Sequence, residues 1–284
     1  MNKHNDNIFC EYTIKSWEDC SRLFKYLTNW VFRGQGNSSW PLQTTLERGV
    51  KINNSDIRNI PKIEKRIIEK FKRSISNYIE KLPDKDDTLE WISLMQHHGA
   101  PTRLLDFSYS YYVALYFSIE QALQESAVFC LNRDLLYNEG LKTEKWRGLE
   151  DDFSFGTREY CNSVLNEQIL SPLVMLIEPY NLHERLSKQQ GLFAIPFEGH
   201  QSFEYNLSLT VNKLQKNLPI SKKIEKYDDS LCLLNKECVL LKVKIPKEFH
   251  SEIRKDLKLM NVTYETLFPN IDGFARSLYS EFDL

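Results

Sequence analysis

Gly99 and Pro101 impose the strongest local constraint on this chain. The ten residues before them, "TLEWISLMQH" (88–97), carry apolar side chains at helical spacing, and Asp87 is placed to cap their start. Gly99 suits the left-handed turn that ends a helix, and Pro101 forbids its continuation. The chain must therefore leave this helix abruptly and run on extended. "TRLLDFS" (102–108) then reads as a strand, "SYYVALYFSIEQAL" (110–123) as a buried helix and "AVFCLNR" (127–133) as a second strand. In that helix Val113, Ala114, Phe117 and Ala122 are expected to face the core.

The flanking segments repeat neither this order nor its spacing. A helix is expected over 16–27 with Ser16 as its cap, and a strand over "WVFRGQ" (30–35). The clearest helix runs over 61–82, with Pro61 in its first turn. Strands follow at 173–179, 192–197 and 238–246, and helices at 181–191, 247–260 and the C-terminal end. Strands and helices do not alternate regularly, and there is no internal repeat or Pro/Ser/Gly-rich linker. The expectation is one domain over 1–284 of the α+β class, with a mixed or antiparallel sheet and flanking helices. The spans 134–168 and 199–235 read as irregular insertions, where loops on a rigid scaffold would set target choice.

Composition narrows the function classes. Of 284 residues, 42% are hydrophobic and 27% charged, and the formal net charge is −2. These are the proportions of an ordinary globular protein without a global basic field, although a local basic groove is compatible with them. The six cysteines, Cys10, Cys20, Cys130, Cys161, Cys232 and Cys238, form no CxxC pair. A zinc knuckle is not expected, and the thiols read as reduced. "MNKHNDNIF" lacks an apolar leader, and no run of about eighteen apolar residues occurs. These features predict a cytoplasmic protein with no membrane partner and no metal. The richness in Asn, Lys and Ile is a compositional mark of a bacterial source.

Polar chemistry concentrates in three places. In "FRGQ" (32–35), Arg33 stands near the end of a strand. It either offers its planar fork to a phosphate or carboxylate, or bonds nearby carbonyls. Gly34 lacks a Cβ, so a ligand or backbone can approach closely. In "QHHGAPTRLLDFS" (96–108), His97 and His98 end a helix whose dipole favours their protonated form. Thr102, Leu104 and Asp106 would face one way and Arg103 and Leu105 the other. Asp106 is placed to pair with Arg33 or Arg103. In "RLSKQQGLFAIPFEGH" (185–200), Gln189 and Gln190 precede a Gly and a strand. They are either network members or a solvated helix end. No GxSxG, Walker A or GxGxxG motif occurs, and no HExxH spacing.

These blocks resemble the FRG domain family. Phe32, Arg33 and Gly34 match its eponymous start. "QHHGAPTRLLDFSYSYYVALYFS" matches its second block, and Arg185, Gln189, Gly191 and Phe193 match its third. The similarity runs from about residue 16 to 280, and Ser108 stands where the family usually has Thr. The block order is also similar to that of ADP-ribosyltransferases. That likeness implies NAD as cofactor, with Arg33 and Gly34 on its phosphate and ribose. His97, Thr102, Arg103 and Asp106 would complete the binding site. Gln190, Gln189 and His98 would be the catalytic groups, with Gln in place of the catalytic Glu and Glu198 as a fallback.

Three functions follow. The first is an NAD-using ADP-ribosyltransferase-like enzyme, a bacterial defence or toxin component acting on nucleic acid or protein and paired with an antitoxin or regulator. The second is a nucleotide- or nucleic-acid-binding module without chemistry. The third is a nuclease using His97 or His98 as acid or base.

Overall fold

The computed structural model describes residues 9–136, 153–167, 172–179, 181, 183–214 and 239–279. Its centre is a seven-stranded sheet: β1 (Cys10–Thr13), β2 (Trp30–Gln35), β3 (Leu105–Ser108), β4 (Ser126–Asn132), β5 (Val174–Ile177), β6 (Gly191–Pro196) and β7 (Leu240–Ile245). The spatial order is β1-β7-β4-β2-β3-β6-β5. β1 runs parallel to β7, and the other neighbours are antiparallel. The fold is thus α+β around a mixed sheet, as the irregular element order predicts.

Pairing is uneven across the sheet. β2 pairs with β4 along its whole length, from Trp30 opposite Asn132 to Gln35 opposite Ala127. With β3 it pairs at one register position, Phe32 opposite Ser108. The sheet is therefore two well-knit parts, β1-β7-β4-β2 and β3-β6-β5, meeting at a short seam.

The helices are α1 (Trp17–Tyr26), α2 (Thr45–Ile52), α3 (Ile60–Ser74), α4 (Thr88–His97), α5 (Tyr111–Ile119), α6 (Phe153–Glu167), α7 (Glu184–Lys188), α8 (Phe203–Leu214), α9 (His250–Leu259), α10 (Tyr264–Leu267) and α11 (Ile271–Ser277). Ser16, Asp87 and Ser110 accept main-chain N–H bonds at the starts of α1, α4 and α5. Gly99 has φ +76, the left-handed conformation that ends α4.

Three buried clusters weld these elements together. α1, α5 and α9 cover one face of the first part, bringing Leu23, Leu115 and Ile253 against Phe32, Cys130 and Val243. α4, α6 and α7 pack on β5 and β6 through Leu89, Ile92, Tyr160 and Leu186. On the sheet's other face Phe203, Leu207 and Val211 of α8 meet Val31, Phe107, Phe129 and Ala194. Leu104 and Leu105 enter different clusters, as the alternation of an extended run requires.

Two expectations are corrected. The span 134–168 contains α6, and the span 199–235 contains α8. Residues 137–152, 168 and 215–235 of those spans lie outside the described residues. α8 hides its pattern because Asn206 and Thr210 are themselves fully buried. Asn206 holds the main chain of Glu198 and Ser202, and Thr210 accepts from Val174 N. A helix that buries satisfied polar groups shows a weak apolar stripe. The long helix expected over 61–82 also ends sooner, at Ser74, followed by a single 3₁₀ turn at Ile75–Asn77. No described helix is long and apolar enough to cross a membrane.

Candidate functional site

The seam between β2 and β3 opens into a cleft. Its central hollow, of about 290 Å³, is lined by Arg33, Asp106, Ser108, Phe117, Arg185 and Gln189, among others. Through Arg33, Gly34 and Phe117 it adjoins an outer hollow of about 670 Å³ that reaches Trp40, Arg48 and Lys51. Through Asp106, Arg185 and Gln189 it adjoins a water-sized recess lined by Ser93, Gln96, His97 and His183. All three polar blocks of the sequence thus meet around one cleft.

Arg33 forms the floor. Its Nη1 donates to the main-chain oxygen of Asp106 at 2.8 Å, and its nearest approach to the Asp106 carboxylate is 3.9 Å. Its Nε is buried with no hydrogen-bond partner among the described residues. Burial lowers the Arg33 pKa, and the nearby Arg48 charge lowers it further, while Asp106 opposes both. A buried guanidinium with a vacant donor is costly alone and gains most from an anion.

Gly34 is needed by the fold. A Cβ there would lie 2.5 Å from Ser118 N and closer still to Ala114 O. The residue lets α5 lie directly on β2, so the close approach read from the sequence is that of a helix backbone.

The second block is a tight network. Thr102 Oγ1 donates to Gln96 Oε1 at 2.6 Å, and Gln96 Nε2 donates to Asp106 Oδ2 at 2.8 Å. Gln96 therefore aims the Asp106 carboxylate, which is 43% exposed and open to the cleft. Thr102 is fully buried, and its main chain is clamped to Thr45 and Leu46 of α2. It supports the site from behind and cannot touch a ligand. Arg103 lies in a buried ion pair with Glu64 and does not line the cleft.

The histidines divide. His97 lines the inner recess, stacked on His183 with ring centroids 4.4 Å apart. Its pKa falls to about 4, through burial first, then His183, His98 and Arg185. The protonated state expected from the helix dipole is thus overridden by desolvation and crowded cations. His98 is exposed and lies outside the cleft lining.

The glutamines divide as well. Gln189 is buried in the cleft wall, its Nε2 donating to Leu267 O at 3.1 Å and its own main-chain oxygen accepting from Ser108 Oγ at 2.7 Å. Gln190 is exposed, with φ +46, and fills the turn after α7. The fallback carboxylate Glu198 bonds His200 and lies on the Arg103 side of the molecule. Among the described residues no group of three or more His, Cys, Asp or Glu side chains is placed to hold a metal ion.

Sequence reasoning left several lining residues without a role. Arg185 brings a second guanidinium into the cleft, 4.9 Å from the Phe268 ring centre, with Nη1 donating to His97 O at 3.4 Å. Gln96 and His183 also carry no expected role, and Phe117, expected to face the core, is only partly buried and lines the cleft. Arg185 stands four residues before Gln189, a one-turn spacing on a helix, which is the available signal.

Residues 28–127 match the family model described as FRG domain. That span holds Arg33 and the whole 96–108 stretch, and ends before Arg185 and Gln189. No curated protein and no solved structure matches the chain significantly.

Proposed function

We propose that the cleft of this chain, whose residues 28–127 match the FRG domain model, binds NAD and that the protein transfers the ADP-ribose portion to an acceptor. One observation carries the reading. Arg33, largely buried and with a vacant Nε, shares a hollow with a second guanidinium, Arg185, and with one aimed carboxylate, Asp106. Two cations suit a pyrophosphate, and an anion suits the ribose carbon, which gains positive charge as nicotinamide leaves.

The residues divide the work accordingly. Arg33 and Arg185 hold phosphate oxygens. Gln96 keeps the Asp106 carboxylate oriented, and Ser108 and Gln189 tie the two sides of the cleft. In the transfer, the bond between the ribose carbon and nicotinamide breaks, and nicotinamide leaves with the bonding pair as a neutral molecule. A new bond forms from that carbon to the acceptor, whose proton passes to solvent or a nearby base. Trp40, 55% exposed, gives the outer hollow an aromatic face beside Arg48 and Lys51.

A second reading, a nucleotide-binding module without turnover, is favoured by a different observation. Gln189 Nε2 is committed to Leu267 O, and Gln190 is turned outward, so neither glutamine stands ready at the reacting centre.

Calorimetry with NAD, together with chromatographic detection of released nicotinamide, tests both readings. Binding with release, both lost in Arg33→Ala and in Arg185→Ala, supports transfer. Binding without release supports the module. No binding and no release, with or without nucleic acid or lysate, overturns the proposal. Arg185 is only half-buried, so its variant guards against a misfolded Arg33→Ala protein.

A further inference from the structure

The outer hollow shares Glu120 and Gln121 with another concavity of about 660 Å³ on the far side of the α5 end. Its walls come from α5, α9 and the α10–α11 segment. Four cations line it, Arg254, Lys255, Lys258 and Arg276, against one carboxylate, Glu120. This is a local positive excess on a chain whose formal net charge is −2. Three tyrosines, Tyr116, Tyr264 and Tyr279, line the same groove, and Tyr279 is 74% exposed.

The groove and the cleft share a physical wall. Tyr264 stacks on Phe268 with ring centroids 4.3 Å apart. Phe268 meets Phe117 edge-on at 6.0 Å and lies under the Arg185 guanidinium at 4.9 Å. Gln189 of the cleft donates to Leu267 O in the same segment. One aromatic ridge therefore has the cleft on one side and the groove on the other.

We propose that this groove binds a single-stranded nucleic acid. Cations spaced along α9 and α11 match phosphodiesters, and tyrosine faces match unpaired bases. An acidic peptide would use the cations and leave the rings idle. A duplex would hide its base faces from them. Because the groove opens onto the outer hollow at Glu120 and Gln121, it brings a strand to the cleft as acceptor. That second statement rests on the proposed transfer, whereas strand binding does not.

The test is fluorescence anisotropy on the full chain without NAD, using labelled oligo(dT) and oligo(rU) of about a dozen nucleotides, the matching duplexes, and polyglutamate of equal charge. Binding of a single strand that weakens with salt is expected, with the two sugars reporting which source is preferred. The exposed pair Lys255→Glu, Lys258→Glu should lower affinity at least about 10-fold and flatten the salt slope by about 2. Tyr279→Ala should lower it about 5-fold or more. No single-strand binding, binding untouched by the double charge reversal, or preference for polyglutamate or duplex would overturn the proposal. Strand binding retained in a protein that ignores NAD would sink the transfer reading alone. NAD turnover retained in a protein that ignores strands would sink the groove alone.

Discussion

Arg33 is held by the main-chain oxygen of Asp106, at 2.8 Å, and only loosely by its carboxylate, at 3.9 Å. Binding and charge stabilisation should therefore separate by mutation. Asp106→Asn leaves the main-chain anchor in place and is expected to keep NAD affinity while lowering the rate of nicotinamide release by on the order of 10²-fold. Arg33→Lys keeps a charge but loses the fork, and should lower affinity itself. Calorimetry paired with single-turnover rates distinguishes the two. Equal loss of affinity in both variants would contradict this division.

Gly34 and Gly36 make a matched pair. Alanine at 34 drives a methyl into the α5 backbone, whereas at 36 the nearest atom, Ala122 Cα, lies 3.6 Å away. Gly34→Ala should cost at least about 3 kcal/mol, at the upper end for overpacking, and Gly36→Ala under about 1 kcal/mol. Urea unfolding checks both.

Glu47 gives a pH signature. Burial raises its pKa from the usual 4.5 to about 7, and the Glu204 charge adds to the rise against hydrogen bonds from Phe203 and Thr44. Oε1 accepts from Phe203 N at 2.6 Å, while Oε2 is buried without a partner among the described residues. The folded state thus binds a proton more tightly than the unfolded one. Stability from this group is full below about pH 4.5 and is lost as pH rises toward 7, an effect on the order of 3 kcal/mol. Glu47→Gln keeps the Oε1 acceptor and should remove that slope. Denaturation midpoints from pH 4 to 8 would show it.

His97 works in the opposite sense. Its pKa is depressed to about 4, so the folded state binds its proton less well than the unfolded one. The stability involved is present above about pH 6.5 and is lost as pH falls toward 4. A proton–nitrogen NMR titration should find a neutral imidazole at pH 5.5. An anionic ligand beside Arg185 should raise its midpoint.

Arg103 and Arg185 should respond in contrary ways. Breaking the buried Arg103–Glu64 pair with Glu64→Ala should cost about 3–5 kcal/mol and leave ligand affinity unchanged. Arg185→Ala should lose affinity with little change in unfolding midpoint. The opposite pattern would mean that the cleft is misassigned.

Most of this architecture is legible in the residues. The Gly99–Pro101 stop, the Asp87 and Ser16 caps and the apolar runs mark the elements they bound. Convergence of the three polar blocks is also foreseen. The roles of individual members are not, because partners distant in sequence decide them. Arg103 reads like a ligand group until Glu64 is found 39 positions away, and Gly34 reads like a ligand contact until α5 is laid across it. Adjacent residues such as Gln189 and Gln190, or His97 and His98, are alike in type, yet the backbone turn alone places one inside and the other out.

With Phe32 opposite Ser108, a continued antiparallel ladder would set Gly34 opposite Asp106. Among the described pairings that rung is missing, and the Arg33 side chain fastens the same Asp106 oxygen instead. One guanidinium serves as both stitch and receptor. Changing what the cleft recognises at this position would also unpick the fabric of the sheet, so variation in specificity should be sought along the rim at Trp40, Arg48 and Lys51.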